Sequence, residues 1–421
     1  MQLFIPEILS EIISNLETDS SSLFKLSLVS RNLAKCVIPF LWKQPFSISD
    51  KKHHSKIISI LLFQLLPPEA QEFFEIDNLI KLQKIPFFDY ASFLKKLNTS
   101  KIFDAITMLY IGIKNREFQY NYLPRLLDIT RSFFKLLLKS CNNQITEIII
   151  SDNTVLGMKP FFIKFIVNIL VWQKTFLSPL NFLSNCKKLK HLHVDTNSFD
   201  GLFNTTTIYI QPPCLQRLYI NSLAISKTEL QQILAASNLR LEFLTIYYNY
   251  KQFYIYKADE IIDVFNAIAT NCQNLLELVV SNVSSYYFEY SIPIFKNCRC
   301  LRKAIFYFDN DKKRVIRNEN ILLQISQYAS KHLLSLRLEG GLFFSATEIF
   351  DFFNERKMPL KLFQSGFFGN MRSMNNSLSS MQKKARSEIV FWSNHDRQII
   401  NENNIKNEKN EYFKLSVKIC Y

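Results

Sequence analysis

Glycine is scarce in this chain, with 7 residues in 421, whereas an average composition contains about 7% glycine. Neither G-x-G-x-x-G nor G-x-x-x-x-G-K-S/T occurs in the sequence. These motifs form the glycine-rich loops that hold the phosphates of nucleotides. Most classes of nucleotide-dependent enzyme are therefore disfavoured.

The sequence also lacks a hydrophobic run of the roughly 20 residues that a membrane-spanning helix needs. Its longest apolar stretch, residues 161–172, is interrupted by Lys164 and Asn168. Glu7 and Glu11 interrupt the apolar N-terminus, which is unlike a secretory signal peptide. We therefore expect an intracellular protein, in the cytoplasm, the nucleus or both, without membrane contact.

Cysteine and histidine follow no metal-ligand spacing, and no CxxC motif occurs. His191 and His193 alternate as neighbours in a strand do. We expect reduced, mostly buried thiols and neither a metal nor another cofactor. The eight cysteines are dispersed along the chain as Cys36, Cys141, Cys186, Cys214, Cys272, Cys298, Cys300 and Cys420.

The net charge of +15 is spread thinly rather than focused. The first fifty residues hold four basic and five acidic side chains, a slight excess of negative charge. Nucleic-acid-binding surfaces usually show a basic patch or stripe, and none is visible here. We therefore expect no nucleic-acid partner.

Three short amphipathic helices are predicted in residues 3–42. Pro6 and Glu7 suit the first turn of a helix. Asp19 can cap a second helix and Ser30 a third. Such a unit buries too little apolar surface to be stable alone, so we expect it to dock on the rest of the chain or on a partner. The apolar residues at helical spacing are Ile8, Leu9, Ile12, Ile13 and Leu16, then Leu23, Leu26 and Leu28, then Leu33, Val37 and Phe40.

This region resembles an F-box, whose pattern is Leu-Pro-x-Glu-Ile-Leu, then Leu-x-Leu-Val-Ser/Asn-Arg/Lys, and later Pro-x-Leu-Trp. Ile5 stands where the family usually has leucine, which is a volume-conserving change. The three matching segments keep the family's order and spacing, and they are Ile5-Pro6-Glu7-Ile8-Leu9, Leu26-Ser27-Leu28-Val29-Ser30-Arg31 and Pro39-Phe40-Leu41-Trp42.

The resemblance implies that the unit docks onto a Skp-type adaptor and, through it, onto the cullin of a ubiquitin ligase. Some of the matching residues must instead fill the core of the unit, and the sequence leaves open which ones. The residues that the resemblance assigns to the adaptor interface are Pro6, Ile8, Leu9, Leu26, Val29 and Trp42.

A six-residue frame, apolar-x-x-apolar-x-apolar, recurs seven times in the rest of the chain, in several cases 26 residues apart. An Asn-Cys pair precedes three of the frames at the same distance, at 185–186, 271–272 and 297–298. Such a fixed period indicates a repeat architecture. The frames begin at Ile145, Leu189, Leu215, Leu241, Leu275, Leu301 and Leu333.

Helical segments lie between the frames, and two begin with a capping box, Ser226-x-x-Glu229 and Ser345-x-x-Glu348. A strand and a helix repeated at about 26 residues are typical of a leucine-rich-repeat solenoid. The pattern resembles the cysteine-containing repeats that follow an F-box in the fungal-type family. We predict an α/β fold in which the three-helix F-box precedes the solenoid, with a parallel sheet on the concave face and helices outside. The cysteines are expected as small buried side chains where a helix turns into a strand.

Four segments are predicted on this basis. Residues 1–45 form the F-box-like unit, and residues 46–140 a helical connector or diverged repeats, with a connector that caps the solenoid preferred. Residues 141–364 form the solenoid. Residues 365–421 form a flexible stretch followed by a C-terminal cap or tail.

The residues between the apolar positions of each frame are expected on the concave face of the sheet. Tyrosine, phenylalanine and arginine are typical anchors of protein interfaces, although each position could equally be a solvated strand residue. The candidates for contact with a protein substrate are His191, His193, Arg217, Tyr219, Phe243, Tyr247, Lys303 and Arg337.

The sequence therefore predicts a non-catalytic adaptor, the substrate-recruiting subunit of a Skp–cullin–F-box ubiquitin ligase, which acts by proximity. One alternative is a leucine-rich-repeat interaction scaffold without a link to ubiquitin. The other is a hydrolase, for which Cys186 near His191 is the only local pair of nucleophile and base.

Overall fold

The structure is a computed structural model of the 421-residue chain. Its contacts divide the chain into two compact units, Met1–Cys214 (unit 1) and Leu215–Tyr421 (unit 2), which we describe separately. The residues that the structure describes are 6–17, 19–47, 51–66, 88–114, 123–141, 144–151, 186–195, 214–221, 227–237, 239–248, 258–308, 320–356, 360, 362–367, 388–393 and 415–417.

Unit 1 begins with the three helices expected from the sequence. The Asp19 carboxylate accepts a hydrogen bond from the backbone N–H of Ser22 at 3.0 Å, and the Ser30 hydroxyl accepts one from Leu33 at 3.2 Å. Both contacts cap a helix as predicted. The helices of unit 1 are α1 (Pro6–Asn15), α2 (Ser20–Val29), α3 (Arg31–Leu41), α4 (Lys51–Leu65), α5 (Thr99–Lys114) and α6 (Leu123–Ser140).

Helices α1 to α3 pack around a small core of their own. Ile13, Leu23 and Val37, one from each helix, are fully buried. The side chains that pack against them are only partly buried, and they are Leu9, Leu16, Leu26, Cys36, Phe40 and Leu41.

Unit 1 also contains three parallel strands, β1 (Lys96–Asn98), β2 (Glu147–Ser151) and β3 (His191–Asp195). Strand β1 lies inside the 46–140 segment, for which the sequence analysis preferred a helical connector. Its Leu97 is in register with Ile148 of β2, which in turn is opposite Leu192 of β3. The first strand of unit 1 therefore precedes the first frame recognised in the sequence.

Unit 2 consists of strands alternating with short helices. Strand β9 is parallel to both β8 and β10, whereas the last strand, β11, is antiparallel to β10. The helices are α7 (Lys227–Ala236), α8 (Ala258–Asn271), α9 (Ile292–Asn297), α10 (Ile321–Tyr328) and α11 (Ala346–Glu355). The strands are β4 (Arg217–Asn221), β5 (Phe243–Tyr247), β6 (Glu277–Val283), β7 (Lys303–Phe308), β8 (Ser335–Phe344), β9 (Leu362–Phe367), β10 (Glu388–Ser393) and β11 (Leu415–Val417).

The apolar frame positions of unit 2 lie in register and form the core. One row runs across five strands as Leu218, Leu244, Leu278, Ala304 and Leu336, all buried. Phenylalanine fills the space between this row and the helices, since the Phe306 ring contacts Phe288 with centroids 5.0 Å apart. The apolar positions of the repeat pattern are thus the buried positions of these strands.

A recurring pair of backbone hydrogen bonds links strands to the preceding repeat. Two successive N–H groups at the entrance of a strand donate to one carbonyl of the preceding repeat. In unit 2, Arg302 and Lys303 donate to the Leu276 carbonyl at 2.8 and 3.1 Å. At this junction both backbone donors are therefore satisfied by the preceding repeat.

Burial of the cysteines expected where a helix turns into a strand is confirmed for Cys186 and for three further residues, but Cys214 is only half-buried. Cys141, Cys272 and Cys298 are buried free thiols, each directly after the last residue of a helix. Among the described residues, no group of three or more histidine, cysteine or acidic side chains could hold a metal ion. No helix in the described part of the chain has the length and hydrophobicity to cross a membrane.

Parts of the predicted organisation lie outside the described residues. These include the capping role of Ser226, the position of Cys420, and residues 368–387 of the expected flexible stretch. Residues 388–393, which fit no sequence repeat, form β10 beside β9.

Candidate protein-interaction surfaces

The helical unit carries a set of large apolar side chains that are exposed among the residues that the structure describes. Ile8 and Ile12 lie one turn apart on α1, and Phe24 and Leu28 lie one turn apart on α2. We call this set, together with Val29, the exposed apolar set. The exposed fractions are 48% for Ile8, 42% for Ile12, 58% for Phe24, and 71% for Leu28 and Val29.

The residues that the F-box resemblance assigns to the adaptor interface fall into two groups. Ile8 and Val29 are exposed. Leu9 and Leu26 are half-buried against the core of the helical unit. Trp42 is also half-buried, and the centroid of its ring lies 4.2 Å from that of the Tyr90 ring. Pro6 is the first residue of α1, and its side chain lies outside the described residues.

Sequence analysis did not select Ile12, Phe24 or Leu28 for the interface. The helical pattern placed Leu28 with Leu23 and Leu26, but Leu28 is among the most exposed apolar residues described. The usable signal was the four-residue spacing of Phe24 and Leu28, which puts both on one side of α2.

The end of the helical unit is joined to β1 by the same backbone contact that links successive strands. The Lys43 carbonyl accepts hydrogen bonds from the N–H groups of Lys95 and Lys96 at 3.0 and 3.1 Å. The Lys43 ammonium pairs with Glu17 of the helical unit at 2.5 Å, and Lys101 Nζ donates to the Phe46 carbonyl at 2.9 Å. Residue 43 thus occupies the position of a preceding repeat in unit 1.

On the sheet of unit 1, one of the two candidate histidines lies beside an acidic side chain. Glu147 pairs with Lys96 at 2.9 Å and lies 3.8 Å from Nδ1 of His191. Burial lowers the pKa of His193, although Asp195 and Glu147 oppose that shift. A neutral His193 is therefore expected at neutral pH.

The sheet of unit 2 has an open face, formed by the residues that alternate with the buried frame positions of β4 to β8. Across this face, Arg217, Phe243, Glu277, Lys303 and Ser335 are in register. The Arg217 guanidinium lies over the Phe243 ring, 4.4 Å from its centroid. Lys303 pairs with Glu277 at 2.5 Å, and Arg337 with Glu339 at 2.6 Å.

The remaining substrate-contact candidates lie on the same open face. Tyr219 is half-buried on β4, and Tyr247 is exposed on β5. The structure therefore brings Arg217, Tyr219, Phe243, Tyr247, Lys303 and Arg337 onto one face of one unit, whereas His191 and His193 belong to unit 1.

Cys186, the nucleophile of the hydrolase alternative, is buried. Burial raises the pKa of this thiol to about 11. A reactive cysteine has its pKa lowered towards neutrality, so the environment of Cys186 opposes formation of a thiolate.

Comparisons with known proteins return little. No family model matches this sequence, and no curated protein sequence matches it. Among solved structures, the chain is similar to the crystal structure of the leucine-rich repeat-containing protein LegL7 from Legionella pneumophila. The match has 11% identity and a TM-score of 0.28, over 62% of this chain and 87% of that one.

The chain is an α/β protein with parallel strands and intervening helices, consistent with a leucine-rich-repeat fold. Folds of this kind are commonly scaffolds for protein interactions.

Proposed function

We propose that this protein is the substrate-recruiting subunit of a Skp–cullin–F-box ubiquitin ligase. Helices α1 to α3 dock a Skp-type adaptor and, through it, a cullin, while the repeats bind a protein substrate. The role needs no catalytic residue in this chain, and it belongs to the cytoplasm or nucleus. The observation that carries the proposal is the exposed apolar set of α1 and α2.

Exposed apolar surface of this kind marks a site of protein interaction in a soluble chain. Covering a large aliphatic or aromatic side chain contributes roughly 1.5–3 kcal/mol. The five members of the exposed apolar set come from only two short helices. A partner with an apolar groove would therefore gain substantial binding energy from this small area.

The junction at Lys43 supports a mechanism based on proximity. Its carbonyl is hydrogen-bonded to the start of β1, and Trp42 is packed on Tyr90. A docked adaptor would thus be held at a defined distance from the sheet of unit 1. Holding two reactants in fixed positions raises their effective concentration, which is the contribution an adaptor makes to ubiquitin transfer.

The test is binding of a purified Skp-type adaptor to the full chain. We expect the double variant Phe24→Gln with Leu28→Gln to lose at least tenfold in affinity, because two covered side chains are removed. Glutamine is a good helix former, so circular dichroism should show an intact fold. Tyr290→Gln, an exposed aromatic of unit 2, is the matched control and should bind normally. Absence of adaptor binding by the natural chain, or full binding by the double variant, would refute the proposal.

The second candidate is a leucine-rich-repeat scaffold in which the helical unit only caps the sheet. It is favoured by the contact of Trp42, whose ring packs on Tyr90 of this chain instead of facing a partner. In that case the natural chain would not bind the adaptor, and removal of the helical unit would expose the entrance of β1 to hydrogen exchange.

A further inference from the structure

The charges on the open face of unit 2 are unevenly compensated. Among the described positions of β4 to β8 on this face, two of the three cations, Lys303 and Arg337, have a carboxylate at 2.5 and 2.6 Å. The third, Arg217, is exposed, and its contact in the described part of the chain is the Phe243 ring. This leaves one positive charge without an anion at β4.

We propose that this face binds an extended acidic segment of a protein partner, with a partner carboxylate on Arg217. The inference rests on the proposed function of the repeats as the substrate-binding part, and it names the class of substrate. It does not depend on adaptor docking, which involves residues of unit 1.

The geometry around Arg217 suits a carboxylate. A guanidinium above an aromatic ring is held in position by a cation–π contact. Its N–H donors lie in its own plane, where they match the two oxygens of a carboxylate. Phe243 therefore orients the cation without consuming the donors that an anion needs.

The residues of this face also predict the distance between two side chains of the bound partner. Tyr247 is exposed on β5, four residues after Phe243. At about 3.3 Å per residue the two positions are about 13 Å apart along the strand. An extended peptide running along β5 would thus place an apolar or aromatic side chain on Tyr247 about four residues from its acidic residue.

Other anionic partners fit less well. Nucleic acids bind through several cations that neutralise successive phosphates. Here Lys303 and Arg337 are already paired with Glu277 and Glu339, so the face offers one such contact. A single oriented cation beside aromatic side chains favours a peptide in which one acidic residue accompanies apolar ones.

The first experiment selects random dodecapeptides, displayed on phage, against the immobilised full chain. We expect enrichment of aspartate or glutamate about four positions from tyrosine, phenylalanine or leucine. Arg217→Glu should abolish the acidic preference. Lys331→Gln, which removes an exposed charge between α10 and β8, should retain it. Selection without acidic enrichment, or equal enrichment on Arg217→Glu, would overturn the proposal.

The second experiment uses the selected peptide, labelled with fluorescein, in anisotropy titrations with the full chain. Replacing its acidic residue by glutamine should weaken binding to the natural chain at least tenfold, but less than twofold on Arg217→Gln. Arg217→Lys should bind less tightly than the natural chain because lysine lacks the planar fork. A phosphoserine in place of the acidic residue distinguishes a phosphorylated partner, and preference for it by tenfold or more would overturn the carboxylate assignment.

Failure of this inference and failure of the ligase proposal are distinguishable. Arg217→Gln should bind the Skp-type adaptor like the natural chain, whereas Phe24→Gln with Leu28→Gln should select acidic peptides normally. Loss of adaptor binding alone refutes the ligase role, and loss of acidic selection alone refutes the substrate class.

Discussion

Helices α1 to α3 and the sheet of unit 2 differ in how completely they bury their large apolar side chains. The three helices bury Ile13, Leu23 and Val37 completely but leave five large aliphatic or aromatic side chains exposed. In the described part of unit 2, the exposed large hydrophobic residues are Leu239 and four tyrosines. A tyrosine hydroxyl can form a hydrogen bond with water, whereas the side chains of leucine and valine have no polar group that could.

The two surfaces therefore differ in what a partner would gain from covering them. Covering the exposed apolar set would gain free energy, so under the proposed function it suits a constitutive interface. The open face of unit 2 compensates most of its own charge, so it suits a partner chosen by complementarity. Four substitutions or reactions test this contrast, in order of decreasing effect.

Removal of a core side chain should cost more in the sheet than in the helical unit. The Phe306 ring is surrounded by Phe288, Phe308 and Phe265, so Phe306→Ala should lower the free energy of unfolding by about 4 kcal/mol. Leu23→Ala, whose neighbours are partly exposed, should cost about 2 kcal/mol. Hydrogen exchange of peptides covering each site measures both, and equal costs would contradict the contrast.

Backbone strain is a second point at which the sheet should be more sensitive. The described residues with positive φ all lie in unit 2, among them Gly340 at +111°. A Cβ atom there would clash with the Phe308 carbonyl oxygen. Gly340→Ala should therefore cost roughly 2–4 kcal/mol, measured as increased exchange of β7 and β8.

The control for this substitution is Ser335→Ala in the same strand. Its hydroxyl oxygen is buried without a hydrogen-bond partner in the described structure, so its removal should cost nothing measurable. A comparable loss in both variants would show that β8 is sensitive to any change.

Loss of one helix cap should have a smaller, local effect. The Ser345 hydroxyl accepts from the Glu348 N–H at 3.2 Å, and the Glu348 carboxylate accepts from the Ser345 N–H at 2.7 Å. Ser345→Ala should destabilise α11 by about 1 kcal/mol, whereas Ser345→Asn, which can still cap, should cost less. Faster exchange confined to residues 346–355 is the expected readout, and no change would contradict the capping role.

The smallest expected effect is a difference in the reactivity of two cysteine thiols. Burial raises the pKa of Cys298 to about 12, so almost no thiolate exists at pH 8. Cys36, which is half-buried in the helical unit, should react with iodoacetamide faster in the folded chain, as measured by mass spectrometry of peptides. In 6 M guanidinium the two rates should converge. A fast reaction at Cys186 in the folded chain would instead support the hydrolase alternative.

Most of the sheet could be predicted from local pattern, because alternation of apolar and polar residues records which side of a strand is buried. The frames beginning at Leu215, Leu241, Leu275 and Leu301 lead directly into β4 to β7. Strand β1 could not be found in this way, and the strand character of residues 388–392 could not be assigned to the repeat. β1 has only three residues, and β10 carries no frame.

The candidate surfaces were harder to predict, since helical spacing does not say which apolar face remains uncovered. The sequence pattern placed Leu28 with Leu23 and Leu26, yet Leu28 is exposed whereas Leu23 is fully buried. Trp42 matches an interface position of the F-box pattern, but its ring packs on Tyr90, 48 residues later in the sequence.

The repeat, the three N-terminal helices, the caps of α2 and α3 and most of the buried cysteines follow from the sequence alone, since all of these depend on residues close together in the chain. Only the tertiary structure decided which apolar side chains stay uncovered and which charges find partners. Arg217 and Phe243 are 26 residues apart in the sequence, and the register of two parallel strands brings them together. Contacts of this kind depend on how whole elements pack, which no local pattern of residues encodes.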